Sequence, residues 1–271
     1  MMNFFNNCTA LITGASSGLG EEFCHQLAPH ASQLVLVARR NDRLESLATH
    51  LRNLHPALDV RVFAADLTLP DRRHALADWL NDEDINVDFL VNNAGLGDHG
   101  HFDSSDWDRV QNMLDLNITS LTHLTHLLVQ GMIVNGRAAI LNVSSVAGFF
   151  PLPQMAVYSA TKAYVTSFSE ALAMELRPKG ITVTALCPGP VPTEFFETAT
   201  RPGDEDKASH FQTVPAFVVS PQEAVRAGLG AVVRERSRVV PGPLLAAAVA
   251  VALMVPFCII RRILAIRSAK L

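Results

Sequence analysis

Short apolar runs alternate along the chain with longer segments in which apolar residues recur at helical spacing. The runs at residues 8–13, 33–38, 59–64, 88–92, 138–144 and 181–186 predict six strands, and residues 239–240 predict a seventh. They are nearly continuous in apolar residues, which is typical of parallel strands covered by helices on both faces. The alternation therefore predicts an α/β fold with a doubly wound parallel sheet of about seven strands.

The helical segments include residues 41–55, 71–81 and a long stretch at 106–134. Another helix is expected to begin after Ser220. Ser220 can cap it, Pro221 suits the first helical position and Glu223 can close a capping box. Together, these strands and helices place residues 1–240 in one domain.

Residues 193–217 interrupt this alternation. The segment is polar in its middle (RPGDEDK) and contains Phe195, Phe196, Phe211 and Phe217. A connection of this length without regular structure of its own is commonly a functional loop. We expect it to form a lid over a substrate site.

Residues 241–271 form a tail of different composition. No charged residue occurs between positions 239 and 260, but prolines at 241, 243 and 256 interrupt the apolar stretch, and basic residues follow at 261, 262, 267 and 270. A membrane span needs about 20 apolar residues, so the run 244–260 is borderline. Three alternatives remain: docking on the subunit or its partner, a peripheral position in a membrane interface, or a span with its basic end in the cytoplasm. The first two are favoured.

Composition and charge narrow the classes of function. The net charge is −4 and no basic stripe occurs before the last dozen residues, which argues against nucleic-acid binding. The four cysteines lie far apart without a CxxC pair, as in proteins of a reducing compartment. The first residues lack the features of a signal peptide. We therefore expect a cytoplasmic protein, in which residues 244–271 would make any membrane association.

A glycine-rich turn, TGASSGLG, follows the first predicted strand. Gly14 permits a sharp turn, Gly18 lets the backbone approach a phosphate, and Gly20 lets the next helix pack close to the sheet. A pyrophosphate would then bind at the helix N-terminus, where the amides and the dipole favour negative charge. The turn predicts a Rossmann-type dinucleotide site that also includes Ser16, Ser17 and Leu19.

Further motifs follow this turn in order. NNAG stands at residues 92–95, NVSS at 142–145 and YSATK at 158–162; Pro188-Gly189 and Thr193 come later. In order and spacing, residues 6–240 resemble the short-chain dehydrogenase/reductase (SDR) family, and most of all its members related to 11β-hydroxysteroid dehydrogenase and to bacterial DltE-type reductases. The resemblance implies an NAD(P)-dependent oxidoreductase that acts on CH–OH groups and interconverts alcohols and carbonyls.

The resemblance implies a catalytic set of Asn117, Ser145, Tyr158 and Lys162. Tyr158 would protonate the developing alkoxide, although a free tyrosine has a pKa of about 10. Lys162, one helical turn later, together with the positive nicotinamide of the oxidised cofactor, would favour the phenolate and lower that pKa. Ser145 would fix the substrate oxygen, and its family spacing from Tyr158 selects it over Ser144. Asn117 would hold a water that links Lys162 to solvent.

Two arginines, Arg39 and Arg40, follow the second predicted strand, where a dinucleotide fold meets the adenosine ribose. An acid there would select NAD(H), whereas arginine offers a planar set of donors to a 2′-phosphate. We therefore expect NADP(H) to be preferred over NAD(H), with Arg39 as the stronger candidate and Arg40 on the adenine or in solvent. The resemblance adds these cofactor contacts: Asp66, Leu67, Asn93, Ala94, Gly95, Tyr158, Lys162, Pro188, Gly189, Val191 and Thr193.

Apolar residues surround the expected catalytic set. Together with Ser145, Phe149 and the lid residues Phe195 and Phe196 are expected to contact the substrate. They predict a bulky hydrophobic carbonyl or alcohol that is steroid-like, lipid-like or aromatic. His99 and His101 are further candidates for substrate contact. Because no third histidine or cysteine is close in sequence, no metal site is expected.

The resemblance also implies an assembly, either a homodimer or a homotetramer. Two alternatives to an enzyme remain. One is a dinucleotide-binding regulator that lacks turnover, and the other is a membrane-attached scaffold of the same fold.

Overall fold

The computed structural model describes residues 4–201 and 215–256, together with residues 259, 260 and 262. Within them, seven parallel strands form one sheet in the order β3-β2-β1-β4-β5-β6-β7. The prediction of a doubly wound, Rossmann-type sheet is confirmed, and every predicted strand is within one residue of its observed bounds. The strands are β1 (Thr9–Thr13), β2 (Gln33–Ala38), β3 (Asp59–Ala64), β4 (Phe89–Asn92), β5 (Ala138–Val143), β6 (Ile181–Leu186) and β7 (Arg238–Val239).

Helices cover both faces of the sheet. On one face lie α1 (Gly18–Leu27), α2 (Asn41–Leu54) and α8 (Pro221–Val233). On the other lie α3 (Pro70–Asp82), α5 (Leu121–Asn135) and α6 (Ala156–Leu176). Three further helices lie outside these layers: α4 (Trp107–Leu114), α7 (Phe195–Ala199) and α9 (Pro243–Met254). Short 3₁₀ turns occur at Phe102–Ser104, Val146–Phe149, Arg177–Lys179 and Pro215–Phe217.

Two hydrophobic cores result from this layering. Side chains alternate across a strand, so Leu11 packs into one core while its neighbour Ile12 packs into the other. All four residues of β4 and all six of β5 are buried. This explains why the central strands read as continuous apolar runs.

The strand order reverses between β1 and β4, which lie side by side in the sheet. The chain leaves β1 toward one edge of the sheet and leaves β4 toward the other. Loops that diverge in this way open a crevice at the carboxyl ends of the strands, where ligands of such folds bind. The glycine turn and the NNAG motif both lie at this crevice.

The predicted helix at 106–134 is not regular. A wide turn of π geometry, Asp115–Ser120, joins α4 to α5 and carries Asn117. Such turns are frequent at functional sites. The predicted capping box is confirmed: Ser220 Oγ accepts from the amide of Glu223 at 3.2 Å, and Glu223 Oε2 accepts from the amide of Ser220 at 3.1 Å.

The tail begins with α9, which docks on the domain. Leu245 and Val249 are buried, and a Cβ added to Gly189 would lie 2.5 Å from Cδ2 of Leu245. The opposite face of α9 is apolar and exposed, including Met254 at 85%. In the described part of the chain, every helix falls short of the length and hydropathy that crossing a membrane requires. Residues 257, 258, 261 and 263–271 of the predicted tail, and residues 202–214 of the predicted lid, lie outside the described residues.

Candidate active site

A cleft of about 310 Å³ opens at the carboxyl ends of the strands. Most residues predicted to bind a cofactor line it, although Gly20 and Gly189 do not. The predicted residues in its lining are Gly14, Ser16, Ser17, Gly18, Leu19, Arg39, Arg40, Asp66, Leu67, Asn93, Ala94, Gly95, Tyr158, Lys162, Pro188, Val191 and Thr193. The cleft also reaches the lid residues Phe195 and Phe196.

The glycine turn has the backbone that its sequence predicts. Gly14 and Gly18 have φ angles of 66° and 58°, in the left-handed region that favours glycine. Thr13 holds the turn against the loop after β4, because its Oγ1 accepts hydrogen bonds from the amides of Asn93 and Ala94, both at 3.0 Å. The turn therefore presents the N-terminus of α1 to the cleft, an arrangement that fits a bound pyrophosphate.

Tyr158 and Lys162 project from the first two turns of α6 and are both buried. Lys162 Nζ donates to the carbonyl oxygen of Val143 at 2.9 Å and lies 5.7 Å from the centre of the Tyr158 ring. Burial lowers the pKa of Lys162 to about 8. These contacts bring the two predicted residues together at the end of β5.

The protein surroundings of Tyr158 favour its protonated form. Burial raises its pKa to about 12, and a hydrogen bond with Ser145 opposes that rise only in part. Desolvation of the phenolate therefore outweighs the protein groups around it. From the protein side chains alone, Tyr158 is a protonated phenol at neutral pH, suited to donating a proton.

The two adjacent serines have different surroundings. Ser144 is buried, and its Oγ donates to the carbonyl oxygen of Lys162 at 2.8 Å and contacts Oγ1 of Thr166 at 2.7 Å. Ser145 Oγ accepts from the amide of Ala147 at 3.1 Å and is hydrogen-bonded to Tyr158. Ser144 therefore fastens β5 to α6, and Ser145 is the serine beside the tyrosine.

Asn117 is buried in the π turn, and its side chain is extensively hydrogen-bonded. Its Oδ1 accepts from the amide of Leu96 at 2.8 Å, while its Nδ2 donates to the carbonyl oxygen of Leu96 at 2.9 Å and to Oγ1 of Thr161 at 3.0 Å. The side chain thus ties the loop after β4 to α6. The predicted link through a water to Lys162 stays a prediction.

The two arginines after β2 have different surroundings. Arg40 turns toward the glycine turn, where its guanidinium donates to Ser16 Oγ at 3.1 Å and to Ser17 Oγ at 2.8 Å. Arg39 is more exposed and lies 3.9 Å from Asp66. The guanidinium of Arg40 is therefore bonded to the protein and does not point into solvent. Both arginines line the cleft.

Apolar side chains surround Tyr158 at one end of the cleft. Tyr158, Met113 and Ala147 are buried together, and Leu96 and Phe195 pack against them. Phe196 packs edge-on against Phe195, with ring centroids 5.9 Å apart. Phe149 is not among the residues that line the cleft, and the guanidinium of Arg238 lies 5.2 Å from the centre of its ring. Its contact with substrate stays a prediction.

An ion cluster beside this end was not predicted. The carboxylate of Asp98 is almost buried and lies 2.6 Å from Arg201 and 2.8 Å from Arg109. Burial alone would raise the pKa of Asp98, but Arg201 and Arg109 together hold it below its usual value. The cluster joins the loop after β4 to α4 and to the end of α7. In the sequence, only the charged residues of the loop after β4 indicate this ion cluster.

The two histidines of this loop have separate contacts. The amide of His99 donates to the carbonyl oxygen of Ala199 at 3.0 Å, and His101 Nε2 lies 3.5 Å from Gln154. Throughout the residues that the structure describes, no three His, Cys, Asp or Glu side chains are grouped as a metal ion would require.

Arg73 is a second residue that the sequence did not single out. It is buried on α3, and its Nη1 donates to the carbonyl oxygens of Leu67 and Thr68 at 2.6 and 2.9 Å. Its Nε donates to Nδ1 of His123 at 3.0 Å. Arg73 thus fixes the loop that carries Asp66 and Leu67 at the cleft.

Comparison with known proteins agrees with this geometry. The family model of the short chain dehydrogenases matches residues 8–203. The sulfoacetaldehyde reductase of Chromohalobacter salexigens is 40% identical over 203 residues, which cover 73% of this chain and 77% of that protein. Several other relatives are longer, and the chain spans 60–65% of their length.

Two solved structures are also similar. A short-chain dehydrogenase from Sphingobium yanoikuyae in complex with NADPH has a TM-score of 0.78 and 36% identity, covering 91% of this chain and 92% of that one. The bulky-bulky ketone specific alcohol dehydrogenase from Comamonas testosteroni has a TM-score of 0.74 and 32% identity, covering 93% and 96%. With the glycine turn, the cleft and the buried Tyr158–Lys162 pair, these matches show that the chain belongs to the short-chain dehydrogenase/reductase family, the NAD(P)-dependent oxidoreductases of CH–OH groups.

Proposed function

We propose that the protein reduces bulky hydrophobic carbonyl compounds with NADPH, and oxidises the corresponding alcohols, with Tyr158 as the acid and base. The observation that carries the proposal is the position of Tyr158. Its ring lies between Ser145 and Lys162 on the polar side and Phe195 on the apolar side, at the wall of the nucleotide cleft. A carbonyl placed there meets a proton donor and an apolar surface together.

The reaction chemistry follows from these positions. Bound NADPH would supply a hydride to the carbonyl carbon. Tyr158 holds the proton that the resulting alkoxide needs, since a phenol with a pKa of about 12 is protonated at neutral pH. Ser145 orients the same oxygen. Lys162, whose pKa of about 8 leaves it cationic at pH 7, stabilises the phenolate that remains.

Substitution of the tyrosine tests the enzyme assignment. Tyr158→Phe is expected to lower turnover by roughly a thousandfold while the affinity for NADPH is retained, because the general acid is removed and the cleft is not. Tyr164→Phe is the matched control, since Tyr164 lies on the same helix but bonds to Thr122 at the surface. Retained turnover in Tyr158→Phe would favour a different chemistry, whereas NADPH binding without turnover in the unchanged protein would favour a nucleotide-binding regulator.

The substrate class is supported by the apolar wall. Met113, Ala147 and Phe195 pack around Tyr158. The similar Comamonas enzyme is described as specific for bulky-bulky ketones, whereas the Chromohalobacter relative is named for sulfoacetaldehyde, a small anion. NADPH consumption with a panel of diaryl ketones, steroid ketones and small anionic aldehydes tests the proposal. Preferred use of the small anions would overturn it.

The preference for NADPH rests on Arg39 and Arg40 at the adenosine end of the cleft. An arginine pair without an acid directly after β2 favours a 2′-phosphate. The similar Sphingobium protein was solved with NADPH. Arg39→Ala should weaken NADPH far more than NADH in equilibrium titrations, and equal weakening of both would contradict the preference.

We also infer a peripheral membrane contact through α9. Its outer face exposes Leu244, Val251 and Met254, and no acidic residue occurs after Glu235. An apolar helix followed by basic residues suits the interface of an anionic bilayer. Flotation with phosphatidylserine vesicles tests this inference. The variant Val251→Ser/Met254→Ser should float less than the unchanged protein, and equal flotation would refute it.

A homo-oligomer is supported by a separate apolar surface on α5 and α6. Val134 and Met174 are strongly exposed, and Tyr164 is partly so. Light scattering should report a dimer or tetramer that Met174→Glu weakens, while Met254→Glu on α9 leaves it intact. A monomer at all concentrations would exclude this assembly.

A further inference from the structure

Glu194 links the lid to the adenosine end of the cleft. Its Oε2 accepts from Arg40 Nη1 at 3.1 Å, and its Oε1 accepts from Arg43 Nη1 at 2.7 Å. The hydrogen bonds from Arg43 and Arg40 hold the pKa of Glu194 below its usual value, so it is an anion at neutral pH. Glu194 and Arg40 both line the cleft.

The residues on either side of Glu194 contact other parts of the same site. A Cβ added to Gly18 would lie 3.2 Å from Cβ of Thr193, so Thr193 lies directly over the glycine turn. Phe195 packs against Tyr158. One short segment therefore contacts the phosphate turn, the arginines and the proton donor.

Arg40 has a restricted set of partners. Its other donors are directed to Ser16 and Ser17 in the glycine turn. The Nη1 of Arg40 donates to the carboxylate of Glu194. An incoming 2′-phosphate is also an anion that arginine binds through charge-assisted hydrogen bonds. It would therefore meet a guanidinium that already has a carboxylate partner.

We propose that Glu194 is a specificity-determining residue, an internal anion that competes with the 2′-phosphate of NADP(H) for Arg40 and so moderates the preference for NADP(H) over NAD(H). This inference rests on the proposed use of NADP(H). Binding of the 2′-phosphate releases Glu194 from Arg40 and leaves it with Arg43.

The competition has a limited size. Glu194, Arg40 and Arg43 are each about two-fifths exposed, so water and salt screen the ion pairs. Removing the carboxylate frees one donor of Arg40 and removes a negative charge near the phosphate. We expect a change of about fivefold in affinity, which is within the range for partly exposed pairs.

The test compares affinities for NADPH and NADH, measured by calorimetry without substrate. Glu194→Gln should raise the affinity for NADPH about fivefold and change the affinity for NADH by less than about twofold. Glu197→Gln is the matched control, because it removes the same charge from an exposed position on α7. It should leave both affinities unchanged. In the Arg40→Ala background, Glu194→Gln should no longer affect NADPH, since the shared partner is gone.

Three results would overturn the inference. In the first, Glu194→Gln lowers the affinity for NADPH or leaves that affinity unchanged. This would mean that Glu194 orients Arg40 and does not compete with the 2′-phosphate. In the second, Glu194→Gln raises the affinity for NADH as much as that for NADPH, or Glu197→Gln raises the affinity for NADPH as much as Glu194→Gln does. In the third, the unchanged protein binds neither nucleotide, which would refute the proposed function as well; binding without the Glu194 effect refutes this inference alone.

Discussion

The ring of Phe195 packs against the ring of Tyr158, with centroids 5.5 Å apart and planes at 47°. Phe195 begins α7, while Tyr158 lies on α6. The first residue of the lid helix therefore shields the expected proton donor. In the proposed reaction, substrate that approaches Tyr158 would lie against the same aromatic surface.

Phe195→Ser should raise KM for a diaryl ketone by roughly tenfold and change KM for a small aldehyde little. The large substrate loses apolar contact area that the small one never had. Phe149→Ser is the control, because that ring lies under Arg238 and outside the cleft lining. Steady-state kinetics with both substrates would decide. An equal effect of the two variants would restore Phe149 as a substrate contact.

Asp98→Asn should lower the free energy of unfolding by about 3 kcal/mol, because Arg201, whose side chain is 13% exposed, and the partly exposed Arg109 would lose their shared counter-ion. Urea denaturation measures the loss. Asp103→Asn changes an exposed carboxylate in the same loop and should have little effect. A small loss in Asp98→Asn would show that water replaces the carboxylate easily.

Stability should fall as the pH drops from about 7.5 to 5.5 through His123. Burial first, and then Arg73 and the neighbouring His74 and His126, hold the pKa of His123 below 6.5. The unfolded chain therefore takes up its proton before the folded chain does, so stability is lost below the unfolded pKa. Urea midpoints at both pH values report the loss.

The matched variants for this pH dependence are His123→Gln and His126→Gln. Glutamine at position 123 removes the titration, so the drop in midpoint should shrink. His126 is exposed on the same helix, and its replacement should leave the drop as it is. An unchanged drop in His123→Gln would assign it to other groups.

The rate of carbonyl reduction should decline above about pH 8. Lys162, with its pKa lowered by burial to about 8, loses its charge there and no longer stabilises the phenolate. Tyr158 stays protonated over the same range, since its pKa is about 12. In Lys162→Arg the decline in kcat/KM should move upward by a pH unit or more, because arginine stays charged. A decline at the same pH would exclude Lys162 as its origin.

Local signals made most of the fold predictable. Buried parallel strands are continuous in apolar residues, and the glycine turn needs its residue types at fixed spacing, so β1, β2 and the turn were found directly. The π turn around Asn117 was not, because its residues also suit an ordinary helix. It exists through contacts of Asn117 with Leu96 and Thr161, which helical spacing does not reveal.

The parts of the site that sequence analysis missed depend on distant pairs. Arg201 and Asp98 are 103 positions apart, and Arg40 and Glu194 are 154 apart. No sequence periodicity relates such distant residues. Their contacts form because the segment after β6 passes over the cleft. The side chain of Arg40 was therefore assigned to adenine or solvent, whereas it contacts the glycine turn and Glu194.

The contact of Leu245 with Gly189 gives the carboxyl end of the chain a practical importance. Gly189 directly follows Pro188 in the wall of the nucleotide cleft, so α9 supports that wall from behind. An affinity tag or fusion partner attached after α9 would disturb the contact between α9 and the wall of the cleft. The amino end enters the fold ahead of β1, at the amino ends of the strands and on the side of the sheet opposite the cleft, and is the safer point of attachment for purification and immobilisation.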